Sequence, residues 1–161
     1  MENVQNTHIS GNPDNYDKLH NTLLGIVGTF NRPQRDEMMI AQSGIPLDRA
    51  LFPLLVQIGR FGPIGIVELA DRVGRDYTTV SRQVAKLEQS GLAQRQKNVR
   101  DKRINEAVIT AQGKGLTDRI DQVRAQVYQQ LFQSWAPEEY QQLVQLLSRF
   151  AADFAALGSE E

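Results

Sequence analysis

Apolar residues recur along this chain at intervals of three and four, the spacing that places them on one face of an α-helix. The first stretch covers residues 16–30, and Pro33 is expected to interrupt or kink that helix. A weaker pattern follows, and a further helix is predicted to begin at Pro46 and to end at Gly59 or Gly62-Pro63, with Pro53 bending it. The two apolar stripes are Leu19, Leu23, Ile26, Val27 and Phe30, then Leu47, Leu51, Leu54, Leu55 and Ile58.

Two short helices and a hairpin come next. The segment "IGIVELADRVGRD" predicts a helix that ends at Gly74, and "DYTTVSRQVAKLEQSG" predicts a second helix with Gly91 as its C-cap. Val80, Val84 and Leu87 would form the inward face of the second helix. The segments "LAQRQ" and "INEAVIT" are strand candidates on either side of a charged turn.

Two long amphipathic helices complete the chain. Thr110 can cap the first, and Pro137 opens the second with two acidic residues after it. Their apolar positions are Leu116, Ile120, Val123, Val127 and Leu131, then Tyr140, Leu143, Val144, Leu147, Phe150 and Phe154. The pattern predicts a flexible polar arm over 1–15, N-terminal helices over 16–58, a central helix-turn-helix with hairpin over 59–110, and C-terminal helices over 111–157.

The charge of the chain is unevenly distributed. The 161 residues carry a net charge of −1, yet the segment 60–104 has ten lysines and arginines against five acids, a net charge of +5. Such a basic centre suggests an anionic partner, of which nucleic acid is the commonest. Cysteine is absent and only two histidines occur, so we expect no disulfide, metal or other cofactor. Without a signal sequence or an apolar run that could span a bilayer, the expected location is the cytoplasm.

The second short helix and the charged turn carry the candidate chemistry. Hydroxyl groups and cations are suited to base edges and phosphates, although an ordinary amphipathic surface helix would present a similar face. The outward residues of the helix are Tyr77, Thr78, Thr79, Ser81, Arg82 and Lys86. In the turn, Asp101 and Arg103 would share one side if the segment were extended. The carboxylate could then aim the arginine at the electronegative minor groove of A·T-rich DNA.

With these residues the sequence resembles the MarR (multiple-antibiotic-resistance regulator) family of bacterial transcription factors. The similar segments are "ELADRVGRDYTTVSRQVAKLEQSGLAQRQ" and "NVRDKRINEAVITAQG". They contain an L-x-x-x-G-L phrase over 87–92, a D-x-R wing over 101–103 and an ending like L-T-x-x-G over 109–113. In its order of elements the resemblance covers roughly residues 16–157.

The resemblance implies a mainly α protein with a small β-wing, that is, a winged helix-turn-helix with N- and C-terminal dimerisation helices. It places the recognition helix in the major groove of double-stranded DNA and the wing arginine, Arg103, in the minor groove, oriented by Asp101. The residues expected in the major groove are Thr78, Thr79, Ser81 and Arg82, with Lys86 nearer the phosphates and Tyr77 as a further DNA-binding residue of the same helix. Arg75, Arg100 and Lys102 are the expected phosphate contacts.

The apolar faces of the terminal helices independently favour a homodimer, because they are too extensive for one winged domain to cover. A two-fold dimer predicts a pseudo-palindromic operator with half-sites about 10 base pairs apart. The alternative is that these helices pack back on their own subunit.

The family also suggests a crevice for a small aromatic or phenolic effector. The residues expected to face it are His20, Leu24, Phe52 and Val56, for which ordinary core packing is the competing interpretation. Pro33 and Pro53 adjoin this crevice and depart from the family pattern.

The sequence therefore predicts a dimeric repressor released by a small molecule. A transcriptional activator, an architectural DNA-binding protein and a helical protein-interaction module without DNA binding are the alternatives. An enzyme is disfavoured, because no nucleophile elbow, phosphate loop or metal-ligand spacing occurs.

Overall fold

The computed structural model describes residues 13–157, without the side chains of residues 13 and 14. Its elements are α1 (Pro13–Phe30), α2 (Pro33–Ser43), α3 (Phe52–Phe61), β1 (Ile64–Gly65), α4 (Ile66–Val73), α5 (Tyr77–Gln89), β2 (Ala93–Lys97), β3 (Asn105–Ile109), α6 (Ala111–Leu131) and α7 (Pro137–Leu157). The mainly helical class with a small antiparallel sheet is confirmed. Most of the predicted arm lies outside the described residues, and its last three positions, 13–15, belong to α1.

The chain divides into two compact units, Met1–Thr117 and Asp118–Glu161, with the division inside α6. The first unit contains the helix-turn-helix and the sheet, and the second contains most of α6 and all of α7.

Pro33 separates two helices, as predicted. It lies in the first turn of α2, where its missing N–H leaves no helical bond unmade. The other end of α2 is closed by Gly44 in the left-handed region, with φ of +61°, and the Gly44 N–H donates to the Ala41 carbonyl.

The predicted start of the next helix and its bend at Pro53 are wrong. α3 begins at Phe52, so Pro53 is in its first turn, a position that proline tolerates without breaking a bond. The preceding residues form a turn in which the Asp48 carboxylate accepts the Ala50 N–H at 2.7 Å. Ile45 and Leu47 are nevertheless buried, so their apolar character reflects a packed loop rather than a helix.

Two helices joined by a tight turn form the helix-turn-helix. α4 ends where Gly74 adopts a φ of +64°, and α5 follows after the N-cap Asp76. The predicted inward face of α5 is confirmed, because its three apolar residues are fully buried. They join Leu54, Leu55, Ile58, Ile64 and Leu69 in the core.

Gly91 lies one residue beyond the C-cap of α5, which is Ser90, and has a φ of +71°. The Gly91 N–H donates to the Glu88 carbonyl at 3.0 Å, and the Leu92 N–H donates to the Leu87 carbonyl at 2.9 Å. This pair of bonds is a Schellman motif, which places a left-handed residue after the helix and is often accompanied by an apolar contact between the residues on either side. Leu87 and Leu92, the two apolar residues, are both buried. The Schellman motif explains why the sequence has leucine at 87, glycine at 91 and leucine at 92 in its L-x-x-x-G-L phrase.

The start of α6 is fixed against the same corner. Thr110 accepts the Gly113 N–H at 3.0 Å through its hydroxyl, which confirms the predicted cap, and donates to the Gly91 carbonyl at 2.6 Å. A Cβ on Gly113 would lie 2.0 Å from the carbonyl oxygen of Leu92. Glycine is therefore required where α6 crosses the end of α5.

The three strands have the spatial order β1-β3-β2 and pair antiparallel. The predicted hairpin is confirmed, with β2 and β3 paired from Ala93↔Ile109 to Lys97↔Asn105. β1 was not predicted, because two residues are too few for an alternating pattern to be visible. The sheet holds the wing turn, residues 98–104, at its far end.

In the second unit, aromatic side chains surround the α6–α7 connection. Phe132 packs edge-on against Trp135 and Tyr140 at centroid distances of 5.1 and 5.0 Å. The Ala136 N–H donates to the Glu139 carboxylate at 2.8 Å, which caps α7. No residue of α7, over 137–157, is buried.

Candidate nucleic-acid interface

The outward face of α5 is available to a partner. Tyr77, Thr78, Arg82 and Lys86 are exposed, and Thr79 and Ser81 are half-buried. The Asp76 carboxylate accepts the Thr79 hydroxyl at 2.6 Å and the Thr79 N–H at 2.8 Å. The bond from the Thr79 hydroxyl, and to a smaller extent the bond from the Thr79 N–H, hold the pKa of Asp76 below its ordinary value. The first turn of the helix is thus anchored, and the Thr79 hydroxyl keeps only its accepting side for another ligand.

Arg75 has a different environment from the other predicted cations. It lies in the turn before α5, half-buried, and its Nη1 donates to the Ala50 carbonyl at 2.7 Å and to Gln83 Oε1 at 3.0 Å. These bonds join the segment before α3 to the middle of α5. Arg75 therefore braces the helix-turn-helix, and only its remaining nitrogens are available to a phosphate.

Glu88 and Arg95 connect α5 to the sheet and were not predicted from the sequence. The Glu88 carboxylate accepts the Arg95 N–H at 3.1 Å and its Nε at 3.0 Å. The bond from the Arg95 backbone, and to a smaller extent the bond from its side chain, lower the pKa of Glu88. The partners belong to two different elements, so no helical or strand periodicity could have indicated the pair.

Asp101 and Arg103 form the predicted ion pair in the wing turn. Asp101 Oδ1 accepts the Arg103 N–H and Nε, both at 3.0 Å, and Oδ2 accepts Nη2 at 2.9 Å. The side-chain bonds from Arg103, and to a smaller extent its backbone bond, lower the pKa of Asp101. The Asp101 carboxylate in turn raises the pKa of Arg103. The Arg103 side chain is still 90% exposed.

The segment that carries the pair is a tight turn and not the extended segment expected from the sequence. The Ile104 N–H donates to the Asp101 carbonyl at 3.1 Å, which closes a β-turn over 101–104. Asp101 therefore reaches Arg103 through the local bonding of a turn rather than through strand alternation.

Two further residues of the wing were missed by the sequence analysis. Asn98 Oδ1 accepts the N–H groups of Arg100 and Asp101, both at 2.8 Å. Its Nδ2 donates to the buried carboxylate of Glu106, which also accepts Gln96 Nε2 at 3.2 Å. An asparagine before a turn is a recognisable local signal, whereas the burial of Glu106 is decided by the sheet.

The arrangement is suited to binding an anionic polymer. Exposed cations occupy both α5 and the wing turn, namely Arg82, Lys86, Arg100, Lys102 and Arg103. Hydroxyl groups lie among those of α5. Within residues 13–157, no group of three or more histidines and carboxylates could hold a metal ion.

The predicted effector residues do not share one environment. His20 and Leu24 are exposed on α1, Val56 is half-buried, and Phe52 is part of the core with 6% of its surface exposed. A cavity of about 560 Å³ lies between α4 and the wing, lined in part by Tyr77, Asn98, Arg103 and Glu106. A second, of about 410 Å³, adjoins the aromatic cluster around Phe132. Neither of these two cavities is lined by the four residues.

In the part of the chain that the structure describes, no helix combines the length and apolar character needed to cross a membrane.

The chain is similar in sequence to known transcriptional regulators. The model of the MarR family matches residues 47–104. A helix-turn-helix transcriptional regulator of Bacillus subtilis (strain 168), YxaD, whose own role is uncharacterised, is 35% identical over 108 residues, which cover 67% of this chain and 76% of the relative.

Solved structures show the same fold. A MarR family protein from Bacillus stearothermophilus superposes with a TM-score of 0.73 at 18% identity, covering 91% of this chain and 99% of its own. A MarR transcriptional regulator from Methanosarcina mazei Go1 gives a TM-score of 0.67 at 20% identity, with coverages of 87% and 99%.

Proposed function

The chain belongs to the MarR family of transcriptional regulators, and from that premise we propose that it is a homodimeric, sequence-specific repressor that a small aromatic or phenolic ligand releases from DNA. The observation that carries the proposal is the wing. There an exposed arginine, Arg103, is held by Asp101 beside a recognition helix with an open polar face. Such a repressor acts in the cytoplasm on chromosomal DNA.

In the proposed complex α5 enters the major groove. Tyr77, Thr78, Thr79, Ser81 and Arg82 lie on the face that would meet base edges and the adjoining backbone. Lys86, one turn beyond Arg82, is placed for a phosphate. Hydroxyl groups and arginine are suitable partners for base edges, and phosphate contacts set the register of the protein on the duplex.

The wing would reach the adjacent minor groove with Arg103. Arg100 and Lys102 are exposed on the same turn and would neutralise phosphates. Arg75 would add a phosphate contact only through the nitrogens that its two internal bonds leave over.

The terminal helices support the proposed dimer. Large apolar side chains of α1 and of α7 are exposed in the single chain, including Leu24, Val27, Leu147 and Phe154. Burying such surface contributes about 25 cal/mol per Å². A second copy offers the same faces, so that a two-fold interface can cover both.

For the effector we retain His20, Leu24 and Val56 as proposed contacts, because the first two side chains are exposed and the third is half-buried. Phe52 stays in the proposed set, but its buried side chain would reach a ligand only if the core around it opened. A ligand acts as a releasing agent only if it binds the DNA-free arrangement more tightly than the DNA-bound one.

Fluorescence anisotropy with a duplex from upstream of its own gene, a scrambled duplex and several salt concentrations tests the proposal. We expect a preference for the upstream duplex and a steep loss of affinity with salt, because about 0.9 counter-ions are released per neutralised phosphate. Absence of binding even at low salt would contradict DNA recognition and favour a helical interaction module.

Activation and an architectural role remain the second candidates, because both use the same interface. Equal affinity for both duplexes would favour the architectural role. A reporter joined to the bound operator would separate repression from activation by the sign of the change in transcription.

A further inference from the structure

Hydrogen bonds link four side chains of the wing in series, with the backbone N–H of Asp101 as one of the links. The Glu106 carboxylate lies on β3, the central strand of the sheet, and only 8% of the residue is exposed. It accepts Asn98 Nδ2, Asn98 Oδ1 accepts two N–H groups of the turn, and one of those belongs to Asp101, which holds Arg103. This chain of hydrogen bonds therefore connects the interior of the sheet to the exposed guanidinium.

The chemistry of each group gives this chain a direction. An ionised carboxylate only accepts hydrogen bonds, whereas an asparagine amide accepts at one end and donates at the other. With Glu106 on one side and two backbone N–H groups on the other, only one orientation of the Asn98 amide satisfies every partner. In the reverse orientation, Asn98 Oδ1 would face the Glu106 carboxylate, acceptor against acceptor. Asn98 Nδ2 would face the two backbone N–H groups, donor against donor. Glu106 thus determines which end of Asn98 faces the turn.

The orientation of Asn98 in turn determines where Asp101 lies. The two bonds from Arg100 and Asp101 hold the start of the turn, and the Asn98 N–H donates to the Ile104 carbonyl at 3.0 Å to close it. The backbone of Asp101 is therefore fixed by contacts that do not involve Arg103. An exposed arginine without such support samples many rotamers and loses that freedom when it binds.

We propose that Asn98, oriented by the buried Glu106, is a positioning residue that aims the Asp101–Arg103 pair at DNA. The proposal rests on the proposed function, in which Arg103 contacts the minor groove. It assigns to the base of the wing a task in DNA recognition, without contact between Asn98 or Glu106 and the duplex.

A double-mutant cycle distinguishes positioning from simple support of the hairpin. Anisotropy with the upstream duplex would compare the full-length protein with Asn98→Ala, Arg103→Ala and the double variant. We expect Asn98→Ala to weaken binding about tenfold in the wild-type background and less than about twofold in the Arg103→Ala background, because both changes remove one interaction. Val99→Ala, at the adjacent position that is 82% exposed, is the matched control and should bind as the wild type does. An equal loss in both backgrounds would overturn the proposal.

An exchange of donor and acceptor provides a rescue. Asn98→Asp keeps the acceptor for the turn but removes the donor and places a second carboxylate against Glu106, so we expect affinity to fall. Adding Glu106→Gln returns a donor from the opposite side and should restore most of it. Failure of the double variant to recover, with an unchanged circular dichroism spectrum, would contradict the directed chain.

The ¹⁵Nε–¹Hε signal of Arg103 in the DNA-free protein separates this proposal from the proposed function. We expect its heteronuclear NOE to fall in Asn98→Ala and to be unchanged in Val99→Ala. If Arg103→Ala bound DNA like the wild type, the minor-groove contact would be removed from the proposed function. A reduced NOE of Arg103 in Asn98→Ala would still show that Asn98 orders the arginine side chain. An NOE unaffected by Asn98→Ala would refute the positioning role.

Discussion

Arg75 and Arg103 are both arginines of the predicted DNA-facing set, and their surroundings differ. Arg103 is held by a neighbour two residues away and remains open to solvent. Arg75 donates to Ala50, 25 residues earlier in the chain, and to Gln83 on the recognition helix. Arginine thus presents an exposed positive charge at position 103 and joins distant segments of the chain at position 75.

Arg103→Ala and Asp101→Ala are both expected to weaken DNA binding, Arg103→Ala by about ten- to a hundredfold, as for the loss of one good groove contact. Asp101→Ala should weaken binding although it removes a negative charge, because the arginine loses its orientation. Anisotropy titrations at fixed salt measure both. Tighter binding by Asp101→Ala would mean that the carboxylate merely repels phosphate.

Arg75→Ala is expected to lower the free energy of unfolding by about 1–2 kcal/mol, because it leaves the Ala50 carbonyl and Gln83 without their charged donor. Arg100→Ala, at an exposed position of the wing, should change it by less than about 0.5 kcal/mol. Urea unfolding measures both.

The slope of log affinity for DNA against log salt concentration should fall in magnitude by about 0.9 for each variant that loses a phosphate contact. An unchanged slope for Arg75→Ala would mean that Arg75 stabilises the helix-turn-helix without contacting a phosphate.

At the scale of the elements, the corner between α5, β2 and α6 is determined by close backbone contacts. Gly91 supplies the left-handed turn and Gly113 allows the two backbones to approach. The hairpin and the recognition helix are therefore set at a fixed position relative to each other, with Glu88 and Arg95 as a further connection.

Gly113→Ala should destabilise the fold by about 1–3 kcal/mol, because its Cβ would meet the Leu92 carbonyl and a backbone atom cannot rotate away. Gly115→Ala is the matched control in the same helix. No heavy atom lies within 4 Å of a Cβ at that position. It should stabilise by about 0.5–1 kcal/mol, the helix preference of alanine over glycine. Thermal unfolding of the two variants gives the comparison, and equal effects would contradict the close approach.

The cap of α5 has a definite pH dependence. Because the pKa of Asp76 is lowered on folding, its carboxylate stabilises the folded state above its unfolded pKa and loses that contribution as the pH falls through the folded pKa. Asp76→Asn keeps a capping oxygen that does not titrate. We expect the wild type to be the more stable near pH 7 and its advantage to shrink below about pH 4. Urea unfolding at pH 7 and pH 3 would show a constant difference if the carboxylate charge had no role.

In the whole molecule, large apolar side chains of α1 and α7 are exposed when the chain is alone. Leu147→Glu, at a residue 45% exposed in the single chain, should raise the dissociation constant of the proposed dimer at least about tenfold, since burial of a leucine contributes about 1.5–3 kcal/mol. Gln145→Glu introduces a negative charge at another exposed position of α7 and serves as the control. Sedimentation equilibrium would contradict the proposed interface if both variants associated equally.

Features that depend on near neighbours could be predicted from the sequence alone. The helix break at Pro33, the left-handed glycines, the Asp101–Arg103 pair and the inward face of α5 all follow from spacings of a few residues. The start of α3, the strand β1, the brace of Arg75 and the burial of Glu106 depend on packing and pairing in the folded chain. β1 pairs with β3 and Arg75 reaches Ala50, and such distant contacts leave no periodic pattern in the residues between them. Ile45 and Leu47 illustrate the limit, because a packed loop and a helix bury the same apolar side chains.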